Sequence, residues 1–211
     1  MTFQELYEGL DEAMTSDYSE SSYARAKDVI NKAYRHVSTA DMDTSRLPFW
    51  QKEYDMSDAT GGALPADYRK MVFYTYSSSG AITTVYEGFE NEKYITKYDA
   101  TNSVWKMYLA PEGTEAIDEG TIRYFYIPAA LSSDSDEPAA PSIVHDLILS
   151  YAKVIGAIDD GEDDVAIRHL SAEYDNAKDR IVDEYGRGNY GPQRRTRSLT
   201  GQAIYRVGDI W

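Results

Sequence analysis

The residues with the types to do chemistry are few and scattered. Three histidines, His36, His145 and His169, fall on three different helical segments. His145 and His169 could converge with Asp146 or Asp164 as a metal or acid–base pair, but neither has the second histidine four residues away that puts two imidazoles on one helical face for zinc. A histidine satisfied in a core or an interface fits that spacing better. Asp134, Asp136 and Glu137, or the run Asp159 to Asp164, hold enough oxygens for calcium. They lack the D-x-[DN]-x-[DN]-G frame with its later glutamate, so caps and solvated turns are expected instead. The glycines 186, 188 and 191 follow a helix and lack the lysine of a phosphate loop, and no G-x-S-x-G serine motif occurs. There are no cysteines, which removes disulfides, thiolate metal sites and a thiol nucleophile. No catalytic, cofactor or metal site is expected, and the protein is expected not to be an enzyme.

The other chemically distinct feature is the C-terminal stretch. Residues 186–211 carry five arginines (187, 194, 195, 197, 206) against the single acid Asp209, whereas residues 1–185 carry 16 basic and 35 acidic residues. A tail of charge +4 on a body of charge −19 suits contact with an acidic protein surface, such as that of a neighbouring copy. The run Gln193 to Arg197 could also bind phosphate, since arginine favours bidentate contacts. The glycines and Pro192 deny regular structure, yet Ile204, Tyr205, Val207, Ile210 and Trp211 are apolar anchors that a solvating tail lacks. An arm that orders on a partner is expected; a disordered end is the alternative.

The elements that must position this arm follow from periodicity. The chain has 211 residues, enough for one domain or one carrying a smaller insert. Phe3, Leu6, Tyr7, Leu10 and Met14 share a helical face, and Tyr23, Ala26, Ile30, Ala33 and Val37 form a second. The polar stretch 16–22 between them can cap and turn, which predicts an antiparallel pair. From about residue 45 the period becomes 2. Segments 71–76, 83–87, 93–98, 104–109 and 121–127 are rich in β-branched and aromatic residues, with turn residues at 77–80, 99–103 and 111–113. They predict five strands in an antiparallel meander or small barrel. A proline-broken linker, 129–142, leads to a helix apolar on nearly every face, Ser142 to Ile158. Gly161 ends it, and acids open the next helix, which runs through Leu170, Tyr174, Ala177, Ile181 and Tyr185.

The predicted fold class is therefore α+β: a four-helix bundle made from N- and C-terminal helix pairs, an inserted antiparallel β-domain and an extended C-terminal arm. The divisions are 1–44, 45–130, 131–185 and 186–211. The net charge of −15 makes free DNA and anionic membrane poor partners. The acidic N-terminus lacks a signal peptide's positive charge, and no stretch approaches the roughly 20 apolar residues of a membrane span, so a cytoplasmic setting is expected. The 19 tyrosines against 5 phenylalanines suit either interfaces or half-exposed sheet positions.

Three pieces in order carry a resemblance: the N-terminal helix pair, LPADYRKMVFYTY at 64–76, and LSSDSDEPAAPSIVHDLILSYAKVIGAI at 131–158 feeding a helix and tail. The chain resembles the head-to-tail connector proteins of tailed bacteriophages, the portal adaptor or head-completion family, in the version with an inserted β-domain. Podovirus tail tubular adaptors are similar. The resemblance implies a virion neck protein, assembled in the host cytoplasm, that forms a ring of twelve copies beneath the portal and encloses the DNA channel. Its partners would be the portal, copies of itself and tail or nozzle proteins below, with DNA only as passing cargo. The arm residues expected to meet the portal or a neighbouring subunit are Tyr190, Arg194, Arg195, Arg197, Ile204, Tyr205, Arg206, Ile210 and Trp211. Alternatives are a stopper or tail-completion protein, or a carbohydrate-binding or hydrolytic particle protein whose Trp50, Tyr94, Tyr98, Trp105 and Tyr108 stack sugars.

Overall fold

A computed structural model describes residues 1–14, 18, 20–78, 81–86, 94–109, 115–117 and 119–186. The first helix, α1 (Phe3–Ala13), buries Phe3, Leu6, Tyr7 and Leu10, the face its spacing predicts. A capping box opens it: the Thr2 hydroxyl accepts the Glu5 amide and the Glu5 carboxylate accepts the Thr2 amide. Two further first-turn amides, of Phe3 and Gln4, donate to the carbonyls of Asp136 (2.7 Å) and Asp134 (3.1 Å), so the later linker completes the cap. Helix α2 (Glu20–Arg35) buries Ala26, Val29, Ile30, Ala33 and Tyr34, and a π turn at His36–Ala40 carries the stripe on to Val37.

Helix α3 (Ser142–Asp160) packs against both α1 and α2 and buries Val144, Leu147, Ile148, Ala152, Val154 and Ala157. Gly161 caps it at φ 71°, donating back to the Ala157 and Ile158 carbonyls. Helix α4 (Asp164–Tyr185) begins on an Asp163 cap, whose carboxylate accepts the Ala166 amide at 2.8 Å. It lies chiefly along α3 and buries only Tyr174 and Ile181. The molecule is mixed helix and antiparallel sheet, an α+β protein.

Six strands are described: β1 (Gln51–Asp55), β2 (Tyr68–Ser78), β3 (Ala81–Tyr86), β4 (Tyr94–Asp99), β5 (Val104–Leu109) and β6 (Thr121–Tyr126). They do not form the expected five-strand meander or barrel. Four make a sheet in the order β1-β6-β2-β3, and β4-β5 form a separate hairpin. The physical reason lies in β6, which buries Ile122, Tyr124, Phe125 and Tyr126 and is paired on both sides, so the last strand takes the centre. The unforeseen β1, QKEYD, is a charged edge strand with no apolar run to announce it. Gly120 turns the chain into β6 at φ 88°, where a Cβ would lie 2.2 Å from the Thr75 carbonyl oxygen.

Helices and sheet share one core. Trp50, 0% exposed, sits 6.0 Å from Tyr34 of α2 and 6.3 Å from Tyr126 of β6 between ring centroids.

Candidate assembly surfaces

The segment LPADYR at 64–69 is a joint. Pro65 turns the chain, its carbonyl accepting the Tyr68 amide at 2.9 Å. The Asp67 carboxylate accepts the Tyr124 hydroxyl at 2.9 Å and the Lys52 ammonium at 2.7 Å, tying β1 and β6 to the start of β2. Arg69 reaches the other way: its guanidinium donates to the Ser38 carbonyl (2.9 Å), the Ser45 carbonyl (3.3 Å) and the Ser45 hydroxyl (3.2 Å). One arginine thus holds the sheet to the turns that follow α2, and burial lowers its pKa from the usual value.

Beside it those turns grip α4. Asp41, at the end of the π turn, is buried. One carboxylate oxygen accepts the amides of Asp43 and Thr44, both at 2.9 Å; the other accepts the Tyr174 hydroxyl at 3.0 Å and the Lys178 ammonium at 3.4 Å. Burial alone would raise this carboxyl's pKa, but the Thr44 amide, the Tyr174 hydroxyl, the Asp43 amide and Lys178 outweigh it and hold it below the usual value. Burial and then the Asp41 charge push the Tyr174 hydroxyl well above its ordinary range. Tyr151 of α3 packs on Tyr174 and stacks on His36 at 4.1 Å, and burial lowers the His36 pKa. All four acceptor positions of the carboxylate are used, so the cluster is suited to fixing α4. At the far end of α4, Ile181 is buried and Tyr185 meets Phe49 edge-on at 5.7 Å. The foot of the C-terminal stretch is therefore set beside the entry to β1.

The linker is also tied. Lys27 pairs with Asp134 at 2.9 Å, Asp136 accepts the amides of Ser132 and Ser133, and Asn31 exchanges two bonds with the Leu131 backbone. Asp160, at the end of α3, pairs with Arg25, whose guanidinium lies 4.4 Å over the Tyr18 ring. The linker acids thus serve as caps and ion-pair partners, and among the described residues no group of three or more His, Asp or Glu is arranged to hold a metal.

The three histidines stay apart in their contacts. His36 stacks on Tyr151, buried His145 lies between the Met1 nitrogen (2.9 Å) and the Ala140 carbonyl (3.0 Å), and exposed His169 lies 3.2 Å from Glu173. The aromatic set considered for sugar stacking is split: Trp50 and Tyr94 are fully buried, while Tyr98 and Trp105 are exposed and meet edge to face at 5.5 Å. The cavity between Tyr68, Arg69, Tyr94 and Trp105 measures about 150 Å³, below the roughly 300–1,000 Å³ of small-molecule sites. A broader hollow of about 420 Å³ is walled by Lys52, Glu53 and Arg123, each already in an ion pair.

Periodicity did not point to Asp41, Arg69, Tyr174 or Lys178 as a group. A signal was present in Asp41-Met-Asp-Thr44, an acid two and three residues ahead of amides it can cap. The arm residues Tyr190, Arg194, Arg195, Arg197, Ile204, Tyr205, Arg206, Ile210 and Trp211 lie outside the described residues. Among those described, no helix is long and apolar enough to cross a membrane.

No curated protein matches this sequence. The model of one family, described as SU10 adaptor protein, matches residues 1–198, from α1 through the whole of α4 and into the arginine-rich stretch. The chain belongs to the SU10 adaptor protein family, structural adaptors of bacteriophage particles.

Proposed function

We propose that this chain is the head-to-tail adaptor of its phage: twelve copies form a ring beneath the portal, dock on it through the C-terminal arm and continue the DNA channel towards the tail. The observation that carries this reading is the family match over 1–198, which takes in the complete helical scaffold and part of the arm. In this reading the two helix pairs work as one bundle with the β-domain of 45–130 inserted into it, and α4 is the stem that aims the arm. The −19 body suits a channel wall, since an anionic lining repels DNA and lets it pass without sticking. Tail or nozzle proteins would dock below.

Portal binding by variants tests the docking. Truncating an apolar anchor in a protein interface commonly costs about 2 kcal/mol or more, whereas an exposed arginine contact is worth about 0–1. Trp211→Ala should therefore weaken binding more than Arg194→Ala, and the gap should widen at high salt, which screens the arginines and leaves burial intact. Wild-type binding by Trp211→Ala, with binding abolished by Arg194→Ala, Arg195→Ala and Arg197→Ala together, would make the arm an electrostatic strap. Imaging the intact particle with this chain located tests the ring.

A further inference from the structure

The four-stranded sheet ends in two unlike edges. Among the described residues, no strand pairs with the outer side of β3 or of β1. The β3 sequence AITTVY has no charge and no proline, and it exposes Ile82 (81%) and Thr84. Such an edge presents unpaired amides and carbonyls with none of the charged side chains that usually keep edges from pairing. The β1 sequence QKEYD carries Lys52, Glu53 and Asp55. Two β1 edges placed together would set like charges near one another, whereas β1 against β3 opposes none.

Strand direction adds to this. Every neighbour in β1-β6-β2-β3 is antiparallel, so with four strands the two edges run in opposite directions. If a second copy continues the sheet in the same orientation, its β1 meets β3 antiparallel. The register is compatible too. Asp55, Thr121, Thr75 and Thr84 lie in one row across the sheet, and Glu53, Arg123 and Phe73 begin the row two residues along, on the same face. The side chains at 53, 55 and 84 therefore project from one side.

We propose that copies of this chain associate edge to edge, the outer side of β3 pairing antiparallel with the outer side of β1 of a second copy. This rests on the ring reading, because a contact between two different edges repeats around a closed ring, whereas a β3-to-β3 contact stops at a dimer.

The absence of cysteine makes the test clean. The pairs Thr84→Cys with Asp55→Cys, and Thr84→Cys with Glu53→Cys, are assembled into particles, oxidised and run on a non-reducing gel. The expected result is a ladder beyond the dimer for at least one pair. A strong dimer from Thr84→Cys alone would mean β3-to-β3 pairing and overturn the proposal. Rings visible by imaging with neither pair cross-linked would overturn it and leave the ring reading standing; particles in which the wild-type chain forms no ring would end both. Proline substitution guards against cysteine variants that fail to assemble. Adjacent amides in a strand point to opposite sides, so of Thr84→Pro and Val85→Pro one loses a bond to β2 and the other only an outward donor. The variant that keeps its circular dichroism should lose at least ten-fold in ring yield, and unchanged yield would overturn the edge contact.

Discussion

The two helices of the C-terminal hairpin are neighbours in sequence and are held in different proportions by apolar and polar contacts. Helix α3 buries six aliphatic side chains among α1, α2 and α4, while α4 buries only Tyr174 and Ile181, packs Leu170, Ala177 and Tyr185 at the core's margin and adds the carboxylate of Asp41 as a polar hold at its centre. Dispersed apolar burial is insensitive to any single polar group but costly to excavate. A single polar node is the reverse: few contacts, each specified, and a carboxylate whose loss leaves the Tyr174 hydroxyl without its acceptor and Lys178 with Asp175 alone. One helix is thus built as a foundation and the other as a positioned stem.

The largest break in this comparison should come from the foundation. Leu147→Ala empties a fully buried site of α3 and should lower global stability by about 2–5 kcal/mol, seen as a lower urea midpoint with all helices lost together. A separate, earlier loss of α3 alone would contradict its central role.

The stem should respond locally. Asp41→Ala leaves the Tyr174 hydroxyl and the Lys178 ammonium without their shared acceptor, a cost of about 1–3 kcal/mol. Hydrogen exchange should quicken along α4, with α3 amides near Leu147 little changed. Equal acceleration in both helices would show that the node supports the whole core.

The smallest effect, and the sharpest, is in pH. The folded-state pKa of His36 is depressed by burial, so below its unfolded value of about 6.5 the unfolded chain binds the extra proton and stability begins to fall. The folded-state pKa of Asp41 is also depressed, so its contribution is complete above the unfolded value of about 3.9 and is lost as pH falls through the lower folded value. A stability profile should show a first decline below pH 6.5 that His36→Phe removes and a second below pH 4, shared with the likewise depressed carboxyls of Asp55, Asp99, Asp134 and Asp136, that Asp41→Asn makes smaller. One undivided decline unaffected by either substitution would remove the node from the account.

Much of the architecture was legible in periodicity. The buried faces of α1 and α2 follow the spacing of Phe3 to Leu10 and of Ala26 to Val37, and Gly161 and Asp163 end and begin helices as residues of their kinds do. The pairing of the strands was not legible, because alternation tells which face of a strand is buried and nothing about which strand lies beside it. That is why β6 was expected at the end of a meander and lies in the middle. The node was hidden for a related reason: Asp41 and Tyr174 are 133 residues apart, and no local spacing relates them. The candidate arm was read from composition, which marks it as unlike the body and fixes no contact.

The cap of α1 has a consequence for how the protein is made. Its first amides end on the carbonyls of Asp134 and Asp136, so α1 leaves the ribosome before the residues that complete its cap, with the entire sheet made in between. At about 5–20 residues per second, that wait is on the order of ten seconds, far longer than the microseconds in which helices form and melt. Until then α1 and α2 also lack the helix Ser142–Asp160 that packs against both, so part of their apolar face is still uncovered.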